Sequence, residues 1–165
     1  MNLRVSGICK ESSVDGQGLR YVIFTQGCKH KCPGCQNPET HDFRGGYLVS
    51  VDDIIKEINE NKILRGITVS GGDPMEQPDA LYELVSKAKD IGKTVWVYTG
   101  YTYEQLVLKG DDVINNILNT IDVLVDGPFI EKLKSTNLRY KGSSNQRVID
   151  CYKTRMSGEI KIYYC

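Results

Sequence analysis

Apolar and polar positions along the chain alternate between two rhythms, one of period two or continuous, the other of helical period. Arg20-Tyr21-Val22-Ile23-Phe24-Thr25 is the first clear strand. Ser50 opens a helix, with Asp53 completing a capping-box-like pair, and Val51, Ile54, Ile55 and Ile58 recur at helical spacing. Residues 66–70 form a short buried strand. Pro78 suits the first turn of a second helix, where Leu81, Leu84, Val85, Ala88 and Ile91 make one face and Gly92 ends it. Thr94-Val95-Trp96-Val97-Tyr98 reads as a third strand. Thr102 and Gln105 form another capping box, opening a helical stretch that runs with breaks to about Asn119. Residues 121–125 are a fourth strand. Residues 146–151 and 159–164 suggest two more, with an irregular segment between them.

Strand alternating with helix implies a parallel sheet with right-handed crossovers. The strands are continuous apolar runs, as helix-covered strands are. Ligands in such folds bind at the carboxyl ends of the strands. The residues following each strand are therefore informative: Gln26-Gly27-Cys28, then Gly71-Gly72-Asp73-Pro74, then Thr99-Gly100-Tyr101, then Asp126-Gly127-Pro128. The unusual residues collect on one edge, which marks a site from pattern alone.

Composition narrows the picture. A chain of 165 residues is expected to form a single domain spanning 1–165, large enough to bury a core. Its formal net charge of zero argues against a broad nucleic-acid footprint. No apolar stretch approaches the roughly 20 residues of a membrane helix. The first residues, Met1-Asn2-Leu3-Arg4-Val5, lack the apolar run of a signal peptide, so a cytoplasmic location is expected. The six cysteines, three of them within eight residues, then read as metal-binding or catalytic rather than as a disulfide framework.

Cys28, Cys32 and Cys35 are separated by three and then two residues. A loop of this size can wrap one corner of a cubane cluster. A [4Fe–4S] cluster usually takes four cysteines, so three local thiolates leave one iron open to a substrate. The alternative is structural zinc, with His30, His41 or Cys9 as a fourth ligand, although a second paired Cys-x2-Cys unit is missing. A disulfide would leave one cysteine over.

The spacing is the signature of the radical S-adenosylmethionine (SAM) superfamily, which the chain resembles. Asp15-Gly16-Gln17-Gly18-Leu19-Arg20, Gln26-Gly27-Cys28, Cys32-Pro33-Gly34-Cys35 and Asn37-Pro38-Glu39-Thr40 resemble the glycyl-radical-enzyme activases. Ser70-Gly71-Gly72-Asp73-Pro74 is similar to their SAM-binding glycine motif. Val97-Tyr98-Thr99-Gly100-Tyr101, Leu124-Val125-Asp126-Gly127-Pro128-Phe129 and above all Gly142-Ser143-Ser144-Asn145-Gln146-Arg147 resemble the branch that activates anaerobic ribonucleoside-triphosphate reductase. The likeness covers about residues 5 to 150. Gly34 stands where many superfamily members carry an aromatic residue, and Asp73 stands where many have glutamate. The extra cysteine clusters of two-cluster activases are missing.

The resemblance implies an α/β fold of the radical SAM type, an incomplete parallel (β/α) barrel open on one side; a complete barrel typically needs about 250 residues. It also implies a radical SAM oxidoreductase. Cys28, Cys32 and Cys35 would hold a [4Fe–4S] cluster whose open iron chelates SAM. Reductive cleavage would give a 5′-deoxyadenosyl radical that takes hydrogen from a glycine of the reductase. Flavodoxin or ferredoxin would be the electron donor. Gly34, Cys35 and Gln36 would line the adenine side, Gly71, Gly72 and Asp73 would meet the SAM amine, and Thr99 and Tyr101 the ribose or methionine. Gly-Gly-Asp-Pro is also a sufficient tight turn by itself, and Thr99 and Tyr101 are equally readable as ordinary loop and core residues. Asp126-Gly127-Pro128-Phe129 is either a turn or a rim for the entering glycine loop. Arg147 is either a surface cation or a partner for the SAM carboxylate or a partner acid. His30 tunes the cluster or faces solvent, and solvent is the commoner fate. His41 has no clear partner. Cys9, Cys151 and Cys165 are expected to be inert, Cys165 exposed at the terminus. Two other readings stay open: activation of a different glycyl radical enzyme, such as pyruvate formate-lyase, and a structural metal-binding module.

Overall fold

The computed structural model describes residues 1–164, and Cys165, expected to be exposed, lies outside the described residues. The strands are β1 (Asn2–Ser12), β2 (Arg20–Thr25), β3 (Tyr47–Ser50), β4 (Gly66–Gly71), β5 (Thr94–Tyr98), β6 (Val123–Asp126) and β7 (Arg147–Asp150). The helices are α1 (Val51–Glu60), α2 (Pro78–Asp90), α3 (Tyr103–Leu108), α4 (Asp112–Leu118) and α5 (Cys151–Ser157). The strands form one sheet in the order β3-β1-β2-β4-β5-β6-β7.

This is an α/β fold, but it is not the incomplete parallel barrel that the resemblance implies. Parallel pairing is confined to the neighbours β2–β4, β4–β5 and β5–β6. β1 runs antiparallel to both β2 and β3, and β7 runs antiparallel to β6. The parallel block is thus closed off on both flanks by reversed strands, and the sheet ends in two edges, β3 and β7, instead of curling towards closure.

The two faces are covered differently. Tyr21, Ile23, Ile67, Val69, Val95, Val97, Leu124 and Ile149 point to one face and pack against Ile54, Ile58, Leu81, Leu84, Leu106, Ile114 and Ile117 of the helices. Burying each Leu or Ile of that face stabilises by roughly 1.5–3 kcal/mol. The other face carries Trp96, Val123, Val125 and Val148, with Tyr98, Tyr140 and Tyr163 against them and no helical residue. Helices on one side only leave the second face free for loops and a cavity.

Local signals explain most boundaries. The Thr102–Gln105 capping box is formed in both directions. Gly92 follows α2 at φ +80°, and its N–H bonds Lys89 O at 2.9 Å. Ser50 does cap α1 by position, but its hydroxyl makes no cap bond; the Val51 N–H goes instead to Met1 O at 3.0 Å. The strand read at 159–164 is reduced to a single bridge between Ile149 and Ile162. The segment before it is α5, capped by Asp150 accepting from the Lys153 N–H at 2.9 Å and ended by Gly158 in the left-handed region.

Candidate functional site

The carboxyl ends of the parallel strands open onto a cavity of about 440 Å³. A volume in this range suits a cofactor-sized ligand. Phe24, Ser70 and Tyr98, from the helix-free face, form its floor. Cys28, Cys32, Cys35 and Gln36 line it together with Gly71, Gly72 and Thr99. Gly127, Phe129, Leu138, Tyr140, Lys141, Gly142 and Gln146 form the opposite wall. Three motifs far apart in sequence thus meet around one space.

The cysteine loop is held by backbone. Gly27 N–H bonds Thr40 O at 2.7 Å and Cys28 N–H bonds His41 O at 3.3 Å. Gln26 Nε2 donates to Glu39 O at 2.9 Å and Asp42 O at 2.7 Å, pinning both ends of the loop. Inside the loop, Lys31 at φ +49° and Gly34 at φ +73° provide the reversals that bend it round. Cys35 N–H bonds Cys32 O at 3.1 Å, and Asn37 N–H points at Cys35 Sγ at 3.4 Å. All three cysteines are free thiols. Burial pushes the Cys28 thiol above its ordinary value; a metal would remove that proton outright.

The glycines of the second motif are required by close backbone crossing. Gly71 sits at φ +96°, and a Cβ there would lie 2.4 Å from Thr25 N. A Cβ on Gly72 would lie 2.4 Å from Gly27 O. Gly72 N–H bonds Thr25 O at 2.7 Å, and Asp73 N–H bonds Gly27 O at 2.8 Å. The glycine turn is thereby laid directly beneath the residue preceding Cys28.

Asp73, which follows the glycine pair, is enclosed by donors. Its side chain is fully buried, and it is not among the residues lining the cavity. Its oxygens accept from His30 Nε2 at 2.6 Å, Thr99 Oγ1 at 3.0 Å, Gly100 N–H at 3.0 Å and Met75 N–H at 3.0 Å. Four donors fill the acceptor capacity of a carboxylate. Bonding to Asp73 raises the His30 pKa. Gly34 also lies outside the lining, its Cα hydrogen side pressed by the Glu131 carboxylate. Tyr101 turns away to donate to Glu76 Oε1.

Arg147 is committed to the chain itself. It grips Asp126 through Nη2 at 2.6 Å and Nε at 3.1 Å, and Glu104 through Nη1 at 3.0 Å and Nη2 at 2.7 Å. Asp126 also accepts from the Tyr103 N–H at 2.8 Å, so the pair ties β6, β7 and α3 together beside the cavity. His41 lines the cavity with its Nε2 buried and without a hydrogen-bond partner among the described residues. The Cys9 thiol bonds Glu11 O at 3.4 Å. Cys151 is buried, and burial pushes its thiol up to about 12. The wall formed by Phe129, Leu138, Tyr140 and Lys141 was only partly legible: Phe129 stood in a motif, whereas Leu138 to Lys141 carried no signal.

The donor set fits an iron–sulfur cluster. Each thiolate of a cubane binds a different iron, so three thiols need only share one cavity wall. Among the described residues no three His, Cys, Asp or Glu side chains are grouped as the ligands of a single metal ion, the arrangement that structural zinc requires. Among the described residues no helix is long and apolar enough to cross a membrane.

A family model described as a 4Fe-4S single cluster domain matches residues 14–149. The chain is 40% identical over 144 residues to the anaerobic ribonucleoside-triphosphate reductase-activating protein of Escherichia coli (strain K12), covering 82% of this chain and 90% of that one. It is 38% identical over 141 residues to the protein of that name from Vibrio cholerae, covering 81% and 88%. Against the protein of that name from Enterobacteria phage T4 the identity is 34% over 142 residues, covering 82% and 86%.

Proposed function

The chain belongs to the family of anaerobic ribonucleoside-triphosphate reductase-activating proteins, and we propose that it is a radical SAM oxidoreductase that generates a glycyl radical on that reductase. One observation carries the reading: Cys28, Cys32 and Cys35 share a single cavity with Gly71, Gly72 and Thr99. A [4Fe–4S] cluster held by Cys28, Cys32 and Cys35, with flavodoxin or ferredoxin as electron donor, would supply the single electron for reductive cleavage of SAM, the chemistry that yields a glycyl radical on the reductase.

The chain's residues bind, orient and exclude water. Cys28, Cys32 and Cys35 would hold the cluster. Gly71 and Gly72, with no side chains, would let backbone approach the SAM amine closely. Cys35 and Gln36, which line the cavity, would flank the adenine, and Thr99 the ribose or methionine. Phe129, Leu138 and Tyr140 would form the wall past which the reductase's glycine loop enters, keeping bulk water from the reacting centre.

The test is anaerobic reconstitution with iron and sulfide, reduction, and assay of SAM for 5′-deoxyadenosine, followed by electron paramagnetic resonance of the reductase. The parent should give the nucleoside and a glycyl radical doublet, and the three Cys→Ala variants neither. A colourless protein that binds zinc tightly and leaves SAM intact would sink the reading.

A further inference from the structure

We infer that Asp73 and His30 form a brace that positions the cysteine loop, Asp73 acting as a positioning residue and not as a contact to the SAM amine. The inference rests on the reading of Cys28, Cys32 and Cys35 as cluster ligands. It goes further by giving these two side chains a role of their own.

Asp73 joins three segments through one buried carboxylate. Met75 N–H belongs to its own turn, Thr99 and Gly100 follow β5, and His30 lies midway between Cys28 and Cys32. An ionised carboxylate only accepts, so Nε2 of His30 is the protonated nitrogen of the 2.6 Å bond. With four donors already satisfied, Asp73 has no capacity left for an incoming ammonium group. Aspartate is also the right length for this duty. The carboxylate stays under the loop, where a glutamate would have to fold back or push outward.

The His30 ring is boxed in as well as bonded. A Cβ on Gly100 would lie 2.5 Å from His30 Cδ2 and 2.8 Å from Nε2, so only glycine leaves room for the ring. Tyr101 meets it edge-on, with ring centroids 4.5 Å apart. Tyr101 is fixed in turn by its bond to Glu76, and Glu76 pairs with Lys29 at 3.2 Å. A loop that carries three ligands from one short segment has few other constraints on the Cys28–Cys32 span. The brace provides them, tying the loop laterally to the end of the third parallel strand.

Outer residues that orient metal ligands typically change metal affinity by 10–100-fold when removed. The test therefore compares His30→Ala, Asp73→Asn, the double variant, and His30→Gln, whose amide can still donate to Asp73. Each is reconstituted anaerobically, and three quantities are read: loss of iron to a chelator, the midpoint potential of the cluster, and SAM affinity. Both single variants should lose iron about tenfold faster than the parent and share a shifted potential. The double variant should be no worse than either single one, and His30→Gln should recover most of the loss. Asp73→Asn weakening SAM binding by tenfold, with His30→Ala matching the parent in all three readouts, would overturn the brace and return Asp73 to the ligand.

Amide hydrogen exchange of residues 28–35 in the cluster-free chain separates this inference from the functional reading. Faster exchange in His30→Ala and Asp73→Asn supports the brace even if the parent takes up no cluster. Unchanged exchange overturns it, whatever the cluster chemistry.

Discussion

The two ends of the parallel strands are both polar and both enclosed, yet they are built to opposite specifications. At the amino end, Arg20 is completely buried, and every N–H of its guanidinium is used: Nε on Thr68, Nη1 on Gln17 O and Thr94 Oγ1, Nη2 on Ile67 O and Thr94 O. Burial pulls its pKa down to about 10, with Asp122 only partly offsetting the loss of water. At the carboxyl end the carboxylate of Asp73 is equally saturated, but the three cysteines beside it form no disulfide and line the cavity. Saturated polar groups hold a fold together, whereas groups left with unused capacity are where a ligand can act. The contrast separates scaffold from site more sharply than polarity or burial does.

Substitutions can break that contrast. The largest effect belongs to the thiols: Cys35→Ser should abolish the visible absorption of the reconstituted protein and its bound iron. It should move the urea midpoint of the cluster-free chain hardly at all. Arg20→Met should do the reverse, costing about 3 kcal/mol by leaving Ile67 O, Thr94 O and Gln17 O without their donor, measured by urea denaturation. A chain that kept its stability without Arg20 would dissolve the distinction.

Arg147 sharpens the comparison, because it is a scaffold pair standing at the functional end. Arg147→Met leaves Asp126 buried without its cation and should cost about 2–3 kcal/mol by the same denaturation, with the wall around Gln146 loosened. Thr102→Ala removes the capping box of α3 and should cost about 1 kcal/mol.

The smallest effect is pH-dependent. The Arg147 guanidinium lowers the Glu104 carboxyl pKa below its ordinary value of 4.5. A depressed carboxyl contributes stability that is complete above about 4.5 and is lost as pH falls through the lowered value. Glu104 is more than half exposed, so the contribution is about 0.5 kcal/mol at most. Glu104→Gln should flatten the acid limb of a stability-against-pH curve by that amount, and an unchanged limb would show the pair to be inert.

The sequence announced the parallel block because β2, β4, β5 and β6 are continuous apolar runs with helices between them. It hid the antiparallel flanks. In β1 only Leu3 and Val5 are buried in the first turn of the pleat, and Gly7, Lys10 and Glu11 dilute the pattern. β3 has just four residues, too few to show a period. Those two strands decide that the sheet stays open, so the barrel expectation failed where the local signal was weakest. α5 did carry a signal, Asp150 before it and Gly158 after, which the cysteine at its start obscured. In the site, the cysteine spacing and the glycine pair were plain in the chain. The duty of Asp73 was not, since saturation of a carboxylate depends on Thr99, Gly100 and His30 arriving from elsewhere.

The residues after Gly158 have a consequence for solubility. β7 is the outermost strand on its side, and its free backbone would otherwise invite another sheet to dock along it. Asp150 N–H instead bonds Lys161 O at 2.8 Å, Tyr163 N–H bonds Val148 O at 2.8 Å, and the Tyr163 ring leans on Trp96 with centroids 5.2 Å apart. This short tail is a guard rail: it occupies the adhesive border of the sheet and roofs its largest aromatic side chain. A chain shortened at Gly158 should keep its helices and its thiol loop yet self-associate at concentrations where the parent stays dispersed.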